Sequence, residues 1–263
     1  MKSIVISIKN NNELRRNHIE NEFQKSNVSF EFFDAIIPEQ IASSESETGI
    51  DLSHSSLSLG AKGCLLSHIK IWQIAIKNND EYIAVFEDDI YLSSSSSIYL
   101  SNSDWIPPNI DLIKMEKCSK YIPRVGCKKI KTLDNRMLYE LKKINLGTAG
   151  YIISIKAAKK ILDRLSKKTN ILAIDVEMFS PELNNNINCF ILEPAICIQD
   201  VVYNNCKKTL FPGTIKDDNA PSKKNTYTKK NKSLLVKFKR EASRLLPLHI
   251  MKKHIFSKRS TYK

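Results

Sequence analysis

The stretch VFEDDI, residues 85 to 90, sets Glu87, Asp88 and Asp89 directly behind the apolar run YIAVF. Neighbouring carboxylates repel, by roughly 4 kcal/mol for two full charges 4 Å apart at an effective dielectric near 20. A chain that has just formed a buried strand therefore needs something to offset three acids at its end. In α/β sheets, ligands gather in the crevice beyond the strand ends. A hard divalent cation, Mn²⁺ or Mg²⁺, carrying phosphate oxygens on its far side would make such a cluster favourable. Side chains alternate along extended backbone, which puts Glu87 and Asp89 on one side and Asp88 on the other unless a turn rotates it back. Asp89 is the expected direct metal ligand, with Asp88 and Glu87 holding metal, water or ribose hydroxyls. The competing reading is a solvated strand end that runs into a serine loop.

The elements that must position these acids follow a β/α rhythm. KSIVISIK and VSFEFFDAI, rich in β-branched and aromatic residues, read as strands, and RRNHIENEFQKS between them reads as a helix. This β-α-β opening favours a parallel sheet with a right-handed crossover. Residues 38 to 59 are polar and weakly periodic and suit a long surface loop. In GAKGCLLSHIKIWQIAIKNN, Cys64, Leu65, His68, Ile69, Trp72, Ala75 and Ile76 share one helical face. EYIAVF follows as a buried strand. The serine tract YLSSSSSIYL reads as a loop or helix start. Further on, WIPPNIDLIKME is a turn and strand, NLGTAGYIIS a glycine-bearing loop and strand, IKAAKKILDRLSKK a helix, and EPAICIQDVVY a final strand. The expected class is α/β, a mostly parallel sheet flanked by helices.

The 263 residues are 42% hydrophobic and 26% charged, enough for one large domain or a domain with an appendage. No leader pattern follows the short N-terminal apolar run, and no stretch approaches the roughly 20 apolar residues needed to span a bilayer. A cytoplasmic location is expected. Six cysteines, without a Cys-x-x-Cys pair, read as reduced thiols among apolar neighbours. The formal charge of +13 is concentrated in residues 216–263, where 15 Lys and Arg meet three acids. The remainder, with 26 basic and 25 acidic residues, is close to neutral.

GAKGCLLSHIKIW, YIAVFEDDI and GTAGYIIS followed by AAKKIL, in that order and spacing, resemble glycosyltransferase family 25, the bacterial lipopolysaccharide and lipooligosaccharide glycosyltransferases. SFEFFDAI looks like the family's second strand, and the pairs ID at 174–175 and QD at 199–200 match its later pattern. The resemblance covers about residues 2 to 205. It implies a GT-A-like fold, a nucleotide-sugar donor with a UDP-sugar the first expectation, a divalent cation (Mn²⁺ or Mg²⁺), and transfer with inversion at the anomeric carbon. Glu87, Asp88 and Asp89 fall on the family's acidic metal motif, where a cation would neutralise the diphosphate leaving group. The sugar is open, with galactose a candidate.

Single displacement needs a base for the acceptor hydroxyl proton. Asp175 is the candidate, with Glu177 in reserve, although DVEMF could also start a helix that Asp175 caps. His68 is either a core histidine or, as part of GCLLSH, a residue near the donor along with Ser67. Arg15, with Arg16, follows the first strand and either meets the diphosphate or lines a solvated helix face. Gly147 and Thr148, in GTAGY, either line the sugar pocket or make a tight turn. Gln199 and Asp200 end the last strand and could close the site. No histidine lies between residues 69 and 248, so a late metal ligand must be another residue or water.

Three segments are expected: a GT-A-like domain over 1–212, a flexible basic linker over 213–232, and a basic amphipathic helical tail over 233–263. In the tail, Leu234, Leu235, Phe238, Ala242, Leu245 and Leu246 line up at helical spacing. Such a stripe beside basic residues suits the anionic inner face of the cytoplasmic membrane, where a lipid-linked oligosaccharide acceptor would be assembled. A solubilising tail is the bland alternative. Nucleic acid, which needs no apolar stripe, is the less favoured partner. Two other functions compete: a Mg²⁺-dependent phosphotransferase or nucleotidyltransferase, although no phosphate-binding Gly-x-x-x-x-Gly-Lys loop is present, and a basic membrane- or nucleic-acid-binding protein without catalysis. A glycosidase does not fit, because adjacent acids on one strand cannot flank a sugar.

Overall fold

The computed structural model describes residues 1–10, 12–117, 121–123, 127–204, 209–211 and 257–262. The expected linker and the amphipathic stripe at 234–246 lie outside the described residues. Strand β1 (Lys2–Ser7), helix α1 (Glu13–Lys25) and strand β2 (Glu31–Asp34) form the opening unit, with β1 and β2 parallel. A short 3-10 turn at Pro38–Gln40 then leads into α2 (Ile41–Thr48), which Gly49 ends in the left-handed conformation at φ 72°. The expected surface loop over 38–59 is thus partly helical. Its core-facing side carries Ser44 and Thr48 beside Ile41, so the apolar period that would announce a helix is blunted.

Helix α3 (Leu59–Asn78) starts where the Ser58 side chain accepts the Ala61 N–H and stops at Asn79, which is left-handed at φ 57°. It feeds β3 (Tyr82–Glu87). The serine tract holds both a strand, β4 (Ile90–Leu92), and a one-turn helix, α4 (Ser96–Leu100). Next come β5 (Leu112–Lys114), β6 (Tyr121–Pro123), β7 (Lys129–Lys131), β8 (Met137–Glu140), β9 (Gly150–Ser154), α5 (Ile155–Ser166) and α6 (Ile174–Phe179). The expected final strand is divided. After β10 (Cys189–Glu193), the chain continues into β11 (Cys197–Gln199) and α7 (Asp200–Tyr203), and β11 pairs with β4 in a separate small sheet.

The main sheet runs β2-β1-β3-β9-β5-β10-β8-β7, with β8 and β9 opposed to the other six strands. Alternate residues of each strand feed two cores. Ile83, Val85, Leu112, Tyr151 and Ile153 pack under α2, α3, α5 and α6, while Ala84, Phe86, Ile113 and Ile152 meet α1 and α4. Because β9 is antiparallel, its first residue, Gly150, lies beside Phe86 at the end of β3. A Cβ at Gly150 would stand 2.2 Å from Cys197 Sγ, so only glycine permits this approach of β9 to β11.

The last described strand, β12 (Ser257–Arg259), pairs with β6, and Tyr262 bridges to Ala195. These residues are not helical. The end of the expected tail belongs to the packed domain.

Candidate active site

The ends of central strands β3 and β5 and the start of β9 meet at one end of the main sheet, beside the end of β11 from the small sheet. Glu87 ends β3, and its neighbour Phe86 faces the opposite core, so the Glu87 side chain turns toward α3. Thr148 Oγ1 donates to Glu87 Oε1 at 2.8 Å, and Gln199 Nε2 donates to Glu87 Oε2 at 3.1 Å and to Asp89 Oδ1 at 3.4 Å. One amide thus bridges two carboxylates. Burial pushes the Glu87 carboxyl up to about 8, with Asp89 and Glu116 adding to the rise. Burial also raises Asp89, against the opposing pull of Arg15.

Asp88 faces the other way, as the alternation requires, toward Arg15 and Asn12. Arg15 Nη1 lies 2.5 Å from Asp88 Oδ1, and Asn12 Nδ2 donates to Asp88 Oδ2 at 2.6 Å. What sets Asp88 apart is the guanidinium against it and its turn away from Glu87, not the number of its hydrogen bonds. Arg15 itself is 7% exposed, sits 3.8 Å from Asp89 Oδ2, and donates to the Phe211 carbonyl at 3.3 Å. Arg15 and Asp88 act as a buttress that fixes the turn carrying Asp89. Arg16 points to Asp34, and its guanidinium covers the Phe32 ring at 4.6 Å.

Asp200 is also structural. It is fully buried and accepts from the Tyr91 hydroxyl, Asn204 and the Phe211 N–H, while its own N–H donates to the Asp89 carbonyl at 2.8 Å.

Asp175 stands across the 145–149 segment from Glu87. It lies inside the first turn of α6 with Ala173 at the cap, so it is not the cap residue itself. Its Oδ2 accepts the Gly147 N–H at 3.1 Å and its Oδ1 the Val176 N–H at 2.8 Å. Gly147 has φ 98°, a conformation that favours glycine and turns the next residue, Thr148, onto Glu87. Glu177, the reserve base, points to Arg164 and Lys168. It is fully buried between Arg164 and Lys168, and although burial raises its pKa, hydrogen bonds from those two side chains and the Leu172 N–H hold it below the usual value. A carboxylate held charged by two cations is a poor proton acceptor.

The GCLLSH segment docks α3. A Cβ at Gly63 would lie 2.3 Å from the Ile36 carbonyl oxygen, and Ser67 Oγ accepts the Ile36 N–H at 2.9 Å. His68 is fully buried, with Nδ1 2.7 Å from the Tyr151 hydroxyl, which also accepts from Trp72 Nε1 at 3.0 Å. Burial pushes His68 down to about 3, so its imidazole is neutral. The ring thus lies in the core beneath the strand ends, with its Nε2 buried and without a hydrogen-bond partner. Cys64, His68 and Glu87 still bring possible ligand atoms within 4.8 Å of one another.

Two residues escaped the sequence reading. Glu116, beyond β5, is 3% exposed; its Oε1 accepts the Ala149 N–H at 3.1 Å, and its Oε2 is buried without a hydrogen-bond partner. Burial raises its pKa despite Lys114, whose ammonium is 2.9 Å away. The spacing of Lys114 and Glu116 in IKME, two charges on one side of an apolar strand, was the available signal. Glu87 and Asp89, bridged by one amide, offer hard oxygen donors of the kind a divalent cation takes, whereas Glu116 is not part of the one group found among the described residues, Cys64, His68 and Glu87.

The family model described as Glycosyltransferase family 25 (LPS biosynthesis protein) matches residues 1–178, and the chain belongs to that family. It is a glycosyltransferase, and its mostly parallel sheet flanked by helices is the α/β architecture that the sequence led us to expect. Among curated relatives, the lipooligosaccharide biosynthesis protein lic2B of Haemophilus influenzae is 33% identical over 198 residues, covering 71% of each chain. The lipooligosaccharide biosynthesis protein lex-1 of the same species is 30% identical over 255 residues, covering 85% of this chain and 84% of its own. The lacto-N-neotetraose biosynthesis glycosyltransferase LgtE of Neisseria gonorrhoeae is 33% identical over 214 residues, 77% of this chain and 75% of that one. The family implies a nucleotide-sugar donor and an oligosaccharide acceptor.

Proposed function

We propose that this chain is a metal-dependent, inverting glycosyltransferase that moves a hexose, with galactose the first candidate, from a UDP-sugar to a lipooligosaccharide or lipopolysaccharide acceptor. The observation that carries the reading is the meeting of Glu87 and Asp89 at the end of central strand β3, where both accept from the single Gln199 amide. Glu87 and Asp89 would hold Mn²⁺ or Mg²⁺, hard ions suited to oxygen ligands. When bound, the cation supplies charge neutralisation for the departing nucleoside diphosphate.

The chain's own groups do the remaining work. Gln199 and Thr148 orient the carboxylates, and the Arg15–Asp88 pair fixes the backbone that carries Asp89. Asp175 takes the proton of the acceptor hydroxyl as its oxygen bonds to the anomeric carbon and the bond from that carbon to the phosphate oxygen breaks. Names of relatives in lipooligosaccharide synthesis support the acceptor class. The basic segment beyond residue 212 would bring the enzyme to the anionic inner face of the cytoplasmic membrane. The phosphotransferase reading and the purely binding reading both lose ground to the family membership.

The test is turnover of UDP-, GDP- and CMP-sugars with and without Mn²⁺, comparing the intact chain with Asp89→Asn and Asp175→Asn. Metal-dependent turnover of one donor, lost in Asp89→Asn, names the donor. Full activity after chelation sinks the metal assignment, and unchanged kcat in Asp175→Asn sinks the base.

A further inference from the structure

Lys114 is a fully buried cation at the end of a central strand, and it makes more contacts than a single ion pair requires. Its ammonium donates to the carbonyls of Asn145, Leu146 and Gly147 at 3.2, 2.6 and 2.5 Å, lies 2.9 Å from Glu116 Oε1, and sits 4.5 Å from the centre of the Phe179 ring. Three successive carbonyls turned toward one point repel one another, and a cation there is what makes that backbone path favourable.

The second half of the segment, Gly147 to Ala149, is pinned by the carboxylates around it. Asp175 accepts the Gly147 N–H, Thr148 Oγ1 donates to Glu87, Glu116 accepts the Ala149 N–H, and the Ala149 carbonyl accepts the Glu87 N–H at 3.1 Å. Every residue from 145 to 149 is therefore tied either to the buried pair or to a carboxylate of the site.

We propose that Lys114 and Glu116 form a positioning pair that holds segment 145–149 so that Thr148 aims the Glu87 carboxylate and Gly147 aims Asp175. A buried ion pair adds little net stability, since desolvation offsets the attraction, so its effect is on geometry. The consequence for donor binding rests on the function proposed above, whereas the ordering of the segment does not.

The experiment compares wild type with the Lys114→Met/Glu116→Gln double variant, which removes both charges at nearly constant volume. Residue-resolved amide exchange reports on Gly147 and Ala149, and calorimetry with UDP and Mn²⁺ reports on the site. Loss of outer-shell support weakens such sites by roughly 10- to 100-fold, so UDP–Mn²⁺ affinity should fall by at least about tenfold while exchange at the two amides quickens by a similar factor. Ile161→Val in the α5 core is the control; it lowers Tm and leaves both readouts in place.

Exchange and affinity both within about twofold of wild type overturn the proposal, as does faster exchange with unchanged affinity. Should the double variant not fold, Glu116→Gln alone is read by the same two measurements and the same criteria. Should wild type bind no UDP with Mn²⁺, the donor reading fails and the exchange arm alone decides on the positioning pair.

Discussion

Glu87 shows how a single residue reports on what the site is built to hold. Its carboxyl is raised to about 8 from 4.5, so between those pH values the folded chain binds a proton that the unfolded chain releases. Stability of the metal-free protein should therefore fall as pH rises through this window. Glu177, held below its ordinary value, acts in the opposite sense: its contribution is present above pH 4.5 and is lost on acidification. A Tm series from pH 4 to 9 should show a decline on the alkaline side that shrinks in Glu87→Gln, and an undiminished decline would refute the assignment. Because the proton and cation compete for the same oxygen, Mn²⁺ should bind more tightly at pH 8 than at pH 6 by calorimetry. Gln199→Leu, which removes the shared donor, should weaken Mn²⁺ binding by roughly 10- to 100-fold and leave Tm nearly unchanged. Similar affinity in that variant would assign Gln199 to the acceptor side instead.

Among the elements, α3 and β9 are placed by two glycines whose role is to be small. Gly63→Ala would drive a methyl into the Ile36 carbonyl, and Gly150→Ala would drive one into Cys197 Sγ. Overpacking of this kind costs about 1–3 kcal/mol, which should appear as a clear loss in denaturation midpoint for each variant. The two differ in how they can be relieved. Cys197→Ala removes the sulfur that Gly150→Ala meets, so the double variant should recover much of the stability, whereas the obstacle at Gly63 is backbone. Additive losses at 150 and 197 would mean that β9 and β11 are not in contact as described. The missed helix α2 is the counterexample on legibility. Ile41 alone could not signal a face completed by Ser44 and Thr48, whose burial depends on α3 lying against them.

At the scale of the whole molecule, the chain's end returns to its middle. Glu193 is fully buried at the end of β10, and its oxygens accept from the Thr261 N–H and hydroxyl, both at 2.7 Å, and from Ser260 Oγ at 3.0 Å. Removing residues 260–263 would leave that carboxylate without these partners, at a cost of roughly 3 kcal/mol or more. A chain cut after Arg259 should melt well below wild type, and Glu193→Leu in the cut chain should restore part of the loss. An unchanged Tm would show that the end is not part of the packed domain.

The β/α order, the acid run at a strand end, the helix bearing GCLLSH and the glycine loop before β9 were all legible in the sequence, because each depends on periodicity, propensity or a short local motif. Whether an acid faces a cation site, a buried arginine or a pair of lysines is set by residues distant in sequence. Asp88 belongs to Arg15 and Asn12, Glu177 to Arg164 and Lys168, and His68 to Tyr151, while Glu116 joined the site unannounced. The sequence by itself determined which residues could do chemistry and which family the chain resembles. Only the tertiary structure decided which carboxylates face cations and which face amides and hydroxyls, since that follows from which side chains the packed sheet and helices bring within hydrogen-bonding reach.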